Sequence, residues 1–383
     1  MQESSPFSVL IAPLDWGLGH ATRCIPIIKE LVNQGALVTV AASGGQKALL
    51  KQEFPLLEFL EIPGYEISYK PGIFLKWALI FKIPAILKQI KRENKWLAEV
   101  LKSRNIDAVI SDNRYGLYHK NLFSVFITHQ LFIQSGSPGI AGHCPMAVGR
   151  WIDRKILKWN YNFIEKFSAC WVPDFESDIF LAGDLSHPPF PPRVPLKYIG
   201  ILSRFKSLKF AGEKTPLLII LSGPEPQRTV FEEVLFSQLA AIKLKAVVVR
   251  GLPGGQDSIP LIREGIKIYN HLSSEALNAL ILSSESVITR SGYSSIMDLV
   301  QVKKSAILVP TPGQTEQEYL GLYLQDKKWM YCVSQKKFDL EKVLAEFKKE
   351  KFILPEMPAS PLQIVVEDFL KKISQEANTK EYF

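Results

Sequence analysis

Two polar segments in the second half of the chain carry side chains suited to binding a phosphorylated sugar. In the first, Arg290, Ser291 and Gly292 directly precede a stretch with helical periodicity, and Asp298 lies within that stretch. The free N–H groups and the dipole at a helix N-terminus favour negative charge. A carboxylate further along the same helix is suited to bind ribose hydroxyls. The segment therefore predicts a site for a diphosphate and its ribose.

The second segment follows the next apolar strand and is rich in carboxylate and amide groups. Its members are Gly313, Gln314, Thr315, Glu316, Gln317 and Glu318. Because such side chains can bind sugar hydroxyls, the two segments together predict a nucleotide-sugar donor. Both follow the C-terminal end of a predicted strand, which is the edge where open α/β sheets bind ligands.

A glycine-rich loop near the start of the chain contains a candidate base. The first predicted strand leads into Leu14–His20 (LDWGLGH), in which Gly17 and Gly19 precede His20. Imidazole, with an unperturbed pKa of about 6.5, suits general-base catalysis near neutral pH. The alternative is that His20 only caps the following helix. The loop lacks the third glycine of the dinucleotide fingerprint, so no nicotinamide cofactor is expected.

A carboxylate is expected to orient such a base. Asp112 is the first candidate because it closes a predicted strand in the sequence SDNRYG, and Asp15 is the alternative nearer to His20 in sequence. Asp112 and Asn113 are alternatively an ordinary turn, because Asp-Asn pairs are common there.

Composition restricts the classes of partner. The 383 residues suggest two domains, and the net charge of +8 favours anionic partners such as nucleotide diphosphates or acidic lipids. Four scattered cysteines without a C-x-x-C pair predict neither a zinc site nor a disulfide framework and fit a reducing cytoplasm.

We expect no signal peptide and no spanning helix of about 18 apolar residues. No D-x-D pair follows a strand, so no metal is expected, and no motif suggests nucleic acid.

Short apolar strands alternate with helical segments in both halves of the chain. This pattern predicts two doubly wound parallel sheets. A proline-rich stretch before residue 196 and a polar, basic stretch after it mark a break. We expect a first domain over residues 1–202, a linker over 203–215, a second domain over 216–358 and a C-terminal helix over 359–383.

Residues 73–101 mix aromatic and basic side chains and are a candidate segment for contact with a membrane surface. A helix of this kind suits an anionic bilayer surface. The alternative is a helix pair, divided or kinked at Pro84, that packs its apolar side on the first sheet. Residues 154–166, with Trp151 and Trp159, are a weaker candidate.

The donor segments resemble those of GT-B glycosyltransferases. The greatest similarity is to glycosyltransferase family 28, which adds N-acetylglucosamine to the lipid-linked muramoyl-peptide precursor. More distant similarity extends to UDP-glucuronosyl and macrolide glycosyltransferases. Residues in the places of the family's UDP-sugar motif are Arg290, Ser291, Gly292, Asp298, Pro310, Glu316 and Gln317. The resemblance implies two Rossmann-like domains facing a cleft, with the last helix crossing back to the first domain.

The resemblance also assigns roles elsewhere in the chain. His20 takes the place of the residue that deprotonates the acceptor in the glucuronosyl-type relatives. Further donor-binding candidates are Ser222, Gly223, Arg250, His271, Leu272, Gln314 and Glu318. Candidates for binding the acceptor are Gly17, Gly19, Asn113, Arg114, His129 and Gln130. Pro224 and Pro226 remove N–H donors beside Ser222, so Arg250 is expected to supply charge there.

The resemblance thus implies an inverting hexosyltransferase, and the sequence predicts that it needs no metal and no cofactor. Its donor is a UDP-sugar, with UDP-N-acetylglucosamine preferred, and its acceptor is lipid-linked or membrane-associated. The expected location is the cytoplasm, with peripheral contact to the inner face of the cell membrane. A UDP-N-acetylglucosamine 2-epimerase and a non-catalytic nucleotide-sugar-binding protein are the alternatives.

Overall fold

The computed structural model describes residues 6–64, 75–133, 146–208, 212–223, 225–253 and 258–381. Within these ranges, the side chains of residues 75–83, 146–153 and 377–381 are not described. Pro224 and residues 73–74 of the predicted membrane segment therefore lie outside the described residues, and nothing is said of the side chains of Trp77, Phe81 and Trp151.

The first domain is a seven-stranded parallel sheet flanked by helices. Its strands are β1 (Ser8–Pro13), β2 (Leu37–Ala41), β3 (Glu58–Leu60), β4 (Ala108–Asp112), β5 (Phe123–Ile127), β6 (Ala169–Val172) and β7 (Leu196–Tyr198). Its helices are α1 (Gly19–Asn33), α2 (Gly44–Glu53), α3 (Leu75–Ser103) and α4 (Met146–Ile164), with a 3-10 turn at Gly183–Leu185. The strand order is β3-β2-β1-β4-β5-β6-β7, with every pair parallel.

The second domain repeats this arrangement with six strands. They are β8 (Thr215–Ile220), β9 (Ala246–Val249), β10 (Ile266–Tyr269), β11 (Ser284–Thr289), β12 (Ile307–Leu308) and β13 (Tyr331–Cys332), in the order β10-β9-β8-β11-β12-β13. The helices are α5 (Gln227–Ala241), α6 (Ser274–Ser283), α7 (Tyr293–Gln301), α8 (Thr315–Asp326), α9 (Leu340–Lys349) and α10 (Leu362–Glu381), with a 3-10 turn at Gln335–Lys337. Two doubly wound parallel sheets confirm the predicted fold class.

Strand β1 illustrates why the sheet is central. Val9, Leu10, Ile11 and Ala12 are all fully buried, as expected for a strand covered by helices on both faces. The chain returns for the next strand at Gly35, whose φ of +84° lies in the left-handed region that glycine adopts without strain. The sheet order reverses between β1 and β4, and again between β8 and β11.

The C-terminal helix α10 follows the second domain in sequence but packs on the first. Phe369 contacts Phe123 and Trp171 edge-on, with ring centroids 5.8 and 5.4 Å apart. Gln34 Nε2 donates a hydrogen bond to the carbonyl of Gln363 at 3.0 Å. A single cluster of buried apolar side chains runs through both domains and includes residues of α1, α7 and α10.

Helix α3 continues through Pro84, so this proline does not divide it into two helices. In its described part, Ile86, Ile90 and Leu97 are buried, whereas the basic residues are exposed: Lys88, Lys91, Arg92 and Lys95. Within the described parts of the chain, no helix combines the length and apolar character needed to cross a bilayer.

Candidate active site between the two domains

The N-termini of α1 and α7 meet between the domains. Each helix follows a strand at which the order of its sheet reverses, the position where such sheets bind ligands. Ser294 Oγ donates to the carbonyl of Gly19 at 2.9 Å. A Cβ on Gly19 would lie 3.0 Å from Ser294 Oγ, so glycine permits this close approach of the two domains.

His20 lies at this junction beside the predicted carboxylate. Its Nδ1 is 3.1 Å from Asp112 Oδ2. Asp112 closes β4, the neighbour of β1, so the parallel pairing of the two strands brings these residues together. Asp112 is fully buried, whereas the His20 side chain keeps 15% of its exposure. A substrate can therefore reach the imidazole but not the carboxylate behind it.

Arg23 completes this cluster, and the sequence reasoning missed it. Its Nε donates to Asp112 Oδ2 at 2.8 Å and to Oδ1 at 3.0 Å, and its Nη2 lies 2.9 Å from His20 Nδ1. Arg23 follows His20 by three residues on α1, so both side chains share one face of the helix. That spacing is the signal that could have identified Arg23 from sequence.

The charges in this cluster follow from burial and pairing. Burial would raise the pKa of Asp112, but Arg23 and His20 lower it to about 2. Burial and the Arg23 guanidinium lower the pKa of His20, while Asp112 opposes them. Near neutral pH the cluster therefore contains an ionised carboxylate, a guanidinium and a neutral imidazole, which is the form in which histidine can accept a proton.

Glu316, from the second predicted donor segment (residues 313–318), contacts the first domain. Its Oε1 lies 2.9 Å from His129 Nε2, and its Oε2 accepts a hydrogen bond from Gln130 Nε2. The His129 ring stacks on Tyr293 with centroids 4.2 Å apart, and its Nδ1 lies 3.3 Å from Arg23 Nη1. His129 thus links the Arg23 cluster to the donor segment, and Tyr293 is a second residue that the sequence reasoning missed.

The remaining donor-segment side chains hydrogen-bond within the second domain. Gln317 Oε1 accepts from Thr311 N at 2.9 Å, and its Nε2 donates to Gln314 Oε1 at 2.6 Å. Ser291 Oγ donates to the Gln317 carbonyl at 2.7 Å. Glu318 Oε1 accepts the backbone N–H five residues earlier at 3.0 Å. These bonds define the shape of the loop that begins α8.

Arg290 lies beneath the site and is almost completely buried. Its guanidinium donates to the carbonyls of Val309, Pro310 and Gln227 at 3.2, 3.3 and 3.0 Å and stacks 4.2 Å above the Phe231 ring. Burial lowers its pKa to about 10. Arg290 joins three segments of the second domain through these carbonyls. Because the Arg290 guanidinium is bonded to carbonyls, the groups in this segment that can bind an anion are the N–H groups at the start of α7. Gly292 is the N-cap of that helix, and no acid lies in its first turn.

The other two predicted arginines have buried carboxylate partners. Arg250 Nε and Nη2 donate to Glu232 at 2.8 and 2.9 Å, and Nη1 donates to Asn270 Oδ1 at 2.9 Å. Arg114 is fully buried and donates from Nη1 to Glu93 Oε1 at 2.8 Å. The sequence showed both charges, but their partners lie too far away along the chain to be seen in it.

Asp298 lies against the linker between the domains. Its Oδ1 accepts a hydrogen bond from the Ser203 hydroxyl, and Arg204 is nearby. Burial raises the pKa of Asp298 to about 6, and Arg204 acts in the opposite direction. Burial and Arg204 also lower the pKa of His271. Asp298, the predicted ribose-binding carboxylate, is therefore part of the same region as the donor-binding candidate His271 and the linker.

The remaining predicted positions are backbone features near strand ends. Gly17, Asn113 and Gly223 have positive φ angles of 80°, 60° and 108°. Leu272 packs on the shared core, and Ser222 is half-buried after β8. Among the described residues, no group of three histidine, cysteine or acidic side chains is arranged to bind a metal ion.

Comparison with known proteins agrees with this architecture. Residues 264–374 match the glycosyltransferase family 28 C-terminal domain. An uncharacterized glycosyltransferase of Methanosarcina acetivorans is 24% identical over 309 residues, 79% of each protein. A Prochlorococcus marinus transferase is 26% identical over 129 residues. The aligned region is 33% of this chain and 35% of that protein. That relative is named UDP-N-acetylglucosamine–N-acetylmuramyl-(pentapeptide) pyrophosphoryl-undecaprenol N-acetylglucosamine transferase.

The fold also matches a solved structure over nearly its whole length. Spinosyn rhamnosyltransferase SpnG, in complex with thymidine diphosphate, superposes with a TM-score of 0.58 at 12% identity. The superposition covers 97% of this chain and 96% of that chain. The superposition shows the GT-B fold. Together with the family 28 C-terminal match over residues 264–374 and the Methanosarcina relative, it makes the chain a glycosyltransferase with the GT-B fold.

Proposed function

We propose that the protein transfers a hexose, with N-acetylglucosamine as the preferred sugar, from a UDP-sugar to a hydroxyl of a lipid-linked acceptor. One observation carries this proposal most directly. A neutral histidine with a buried carboxylate, His20 and Asp112, lies where α1 meets the N-terminus of α7. A base on one domain and an anion-binding helix end on the other are what transfer from a nucleotide sugar requires.

The chemistry follows from this placement. With the proton on Nδ1 directed at Asp112, the Nε2 lone pair of His20 accepts the acceptor's hydroxyl proton. The oxygen attacks the anomeric carbon from the face opposite the diphosphate. The carbon–oxygen bond to the diphosphate breaks, and UDP leaves with its electron pair. The product then has inverted configuration at the anomeric carbon.

The departing diphosphate is best accommodated at α7. Its first turn has neither a capping side chain nor an acid, so its N–H groups and dipole are free to stabilise developing negative charge. This stabilisation needs no metal ion. Asp298, further along α7, would then bind the ribose.

The sugar would bind where Glu316 meets His129 and Gln130. The carboxylate, imidazole and amide groups offer donors and acceptors for hydroxyl and acetamide groups. The choice of N-acetylglucosamine rests on the Prochlorococcus relative, whose name specifies a UDP-N-acetylglucosamine donor.

The lipid-linked acceptor is supported by the exposed basic face of α3. Lys88, Lys91, Arg92 and Lys95 are exposed, and the helix packs its opposite apolar side on the sheet. Each such cation near an anionic bilayer contributes about 1 kcal/mol of attraction. The contact would therefore be electrostatic and peripheral, at the inner face of the cell membrane.

Transfer of labelled sugar tests this function. The protein is incubated with UDP-N-acetylglucosamine labelled in the sugar, with and without a membrane lipid extract. We expect label in the lipid phase only when extract is present. UDP-glucose and a thymidine diphosphate sugar serve as donor controls. Label that never enters lipid with any donor would contradict the proposal.

The same reaction distinguishes the alternatives. A 2-epimerase would convert UDP-N-acetylglucosamine to its 2-epimer without acceptor, which proton NMR of the nucleotide-sugar fraction detects. A non-catalytic binding protein would bind UDP and change neither substrate.

A further inference from the structure

His20 has two neighbours that compete for one ring nitrogen. Nδ1 lies 3.1 Å from Asp112 Oδ2, which accepts hydrogen bonds, and 2.9 Å from Arg23 Nη2, which only donates them. One nitrogen cannot be donor and acceptor at once, so the two neighbours favour opposite tautomers. A base that acts through Nε2 needs the tautomer in which Nδ1–H donates to Asp112. In that tautomer Arg23 acts on the ring through its charge and not through a hydrogen bond to Nδ1.

Arg23 is held in place by contacts other than the one to His20. Its Nε donates to both oxygens of Asp112, its Nη1 lies 3.3 Å from His129 Nδ1, and only 2% of its side chain is exposed. A guanidinium stays protonated at any pH at which the protein functions. A fixed positive charge therefore lies against the imidazole throughout the reaction.

We propose that Arg23 is a positioning residue that keeps His20 uncharged and returns it to that state after each transfer. Asp112 alone would stabilise the imidazolium, which has no lone pair with which to accept a proton. Arg23 neutralises much of that attraction by pairing with Asp112, and it repels positive charge on the ring. The proton taken from the acceptor hydroxyl then passes from Nε2 to water, and the base is restored.

The other groups around His20 do not replace this charge. Asp112 on β4 is anionic, and His129 after β5 is paired with Glu316 on α8. Cys24, on α1, lies beside Asp112. Burial raises the pKa of the Cys24 thiol well above the usual value, so the thiol stays neutral. Among the described groups that face His20, Arg23 is the permanent cation.

The inference rests on the proposed function, because it assigns His20 the role of base. Its test therefore includes a readout that needs no turnover. The pKa of His20 is measured by NMR of ring-labelled histidine without substrates, with the His20 signal assigned from its loss in His20→Ala. The acidic limb of kcat/KM against pH is measured in parallel.

Arg23→Gln removes the charge, and Arg23→Lys is the matched variant that keeps it. A charge at this distance shifts a neighbouring pKa by about one unit or more. We expect Arg23→Gln to raise the pKa of His20 by that amount and to move the acidic limb to higher pH by the same shift. Activity lost near neutral pH should return in more alkaline buffer. Arg23→Lys keeps the charge, so the pKa of His20 in this variant should stay close to that in the original protein.

A second pair of variants covers the case in which Arg23→Gln does not fold because Asp112 is left unpaired. Asp112→Asn is compared with the double variant Arg23→Gln/Asp112→Asn, in which no buried carboxylate is left alone. The pKa of His20 should again be higher in the protein without Arg23. An unchanged or lower pKa in either comparison would overturn the inference. Absence of turnover with a shifted pKa would instead count against the proposed function.

Discussion

Glu316 Oε1 lies 2.9 Å from His129 Nε2, and this contact joins the two domains. Glu316 belongs to the first turn of α8, whereas His129 follows β5 in the first domain. A sugar bound among Glu316, His129 and Gln130 would therefore contact both domains. The Glu316 carboxylate has further acceptor sites beyond its two present hydrogen bonds, so it can bind sugar hydroxyls at this junction.

Removing that carboxylate should weaken recognition of the sugar rather than of the nucleotide. Hydrogen bonds to charged groups contribute about 1.5–3 kcal/mol. We expect Glu316→Ala to lower kcat/KM for the UDP-sugar by about 10- to 100-fold, with affinity for UDP nearly unchanged. Calorimetric titration with UDP and initial-rate kinetics separate the two effects. Glu367→Gln, which breaks an exposed ion pair on α10, is the control. An equal loss of UDP affinity would contradict this assignment.

Replacement of Arg290 should lower the stability of the protein, because its guanidinium is bonded to carbonyls of the second domain. Arg290→Met removes the donors to three carbonyls, and each buried polar group left without a partner costs about 1–3 kcal/mol. We expect the free energy of unfolding, measured by urea denaturation, to fall by about 3 kcal/mol or more, because three carbonyls lose their donor. A variant of unchanged stability that has lost UDP affinity would show instead that Arg290 contacts the diphosphate directly.

Asp298 should show a trade-off between stability and donor binding. Its pKa is raised to about 6 by burial, so its carboxylate is ionised at lower pH in the unfolded chain than in the folded one. The free energy of unfolding therefore falls as pH rises from the unfolded pKa toward about 6, and the loss persists above that pH.

Asp298→Asn removes this cost. We expect the variant to be more stable by about 1–3 kcal/mol above pH 6 and no more stable below the unfolded pKa. UDP affinity should fall because the ribose partner is lost. Thermal unfolding across pH and UDP titration provide the two measurements. Lower stability at neutral pH would show that the ionised carboxylate is satisfied by Ser203 and Arg204.

The fold could be predicted from sequence because the patterns that indicate its strands and helices are local. Apolar runs such as Ser8–Pro13 and Val287–Thr289 and a turn at Gly35 are patterns of neighbouring residues. The edge strand β3 was not predicted, because three residues with an exposed Glu58 carry almost no pattern. Helix α3 continues through Pro84, although proline usually ends or kinks a helix.

From sequence, the candidate site could be predicted only where the ends of strands determine its position. His20 and Asp112 follow neighbouring strands, so parallel pairing alone brings them close. The partners of Arg290 and Arg114 depend on contacts between distant segments, which no local pattern contains. Glu93, for example, lies on α3 and pairs with an arginine after β4. Arg23 had a signal in its helical spacing, but its contact with His129 depends on the folding of α1 against the end of β5, more than a hundred residues away in sequence.

The most direct test of the account is acceptor-dependent UDP release by the original protein and by His20→Ala. Loss of a general base lowers the rate by about 10²- to 10⁴-fold. We predict a loss of this size in the variant, with UDP affinity retained. UDP release at an unchanged rate by His20→Ala would contradict the role of His20 as the base.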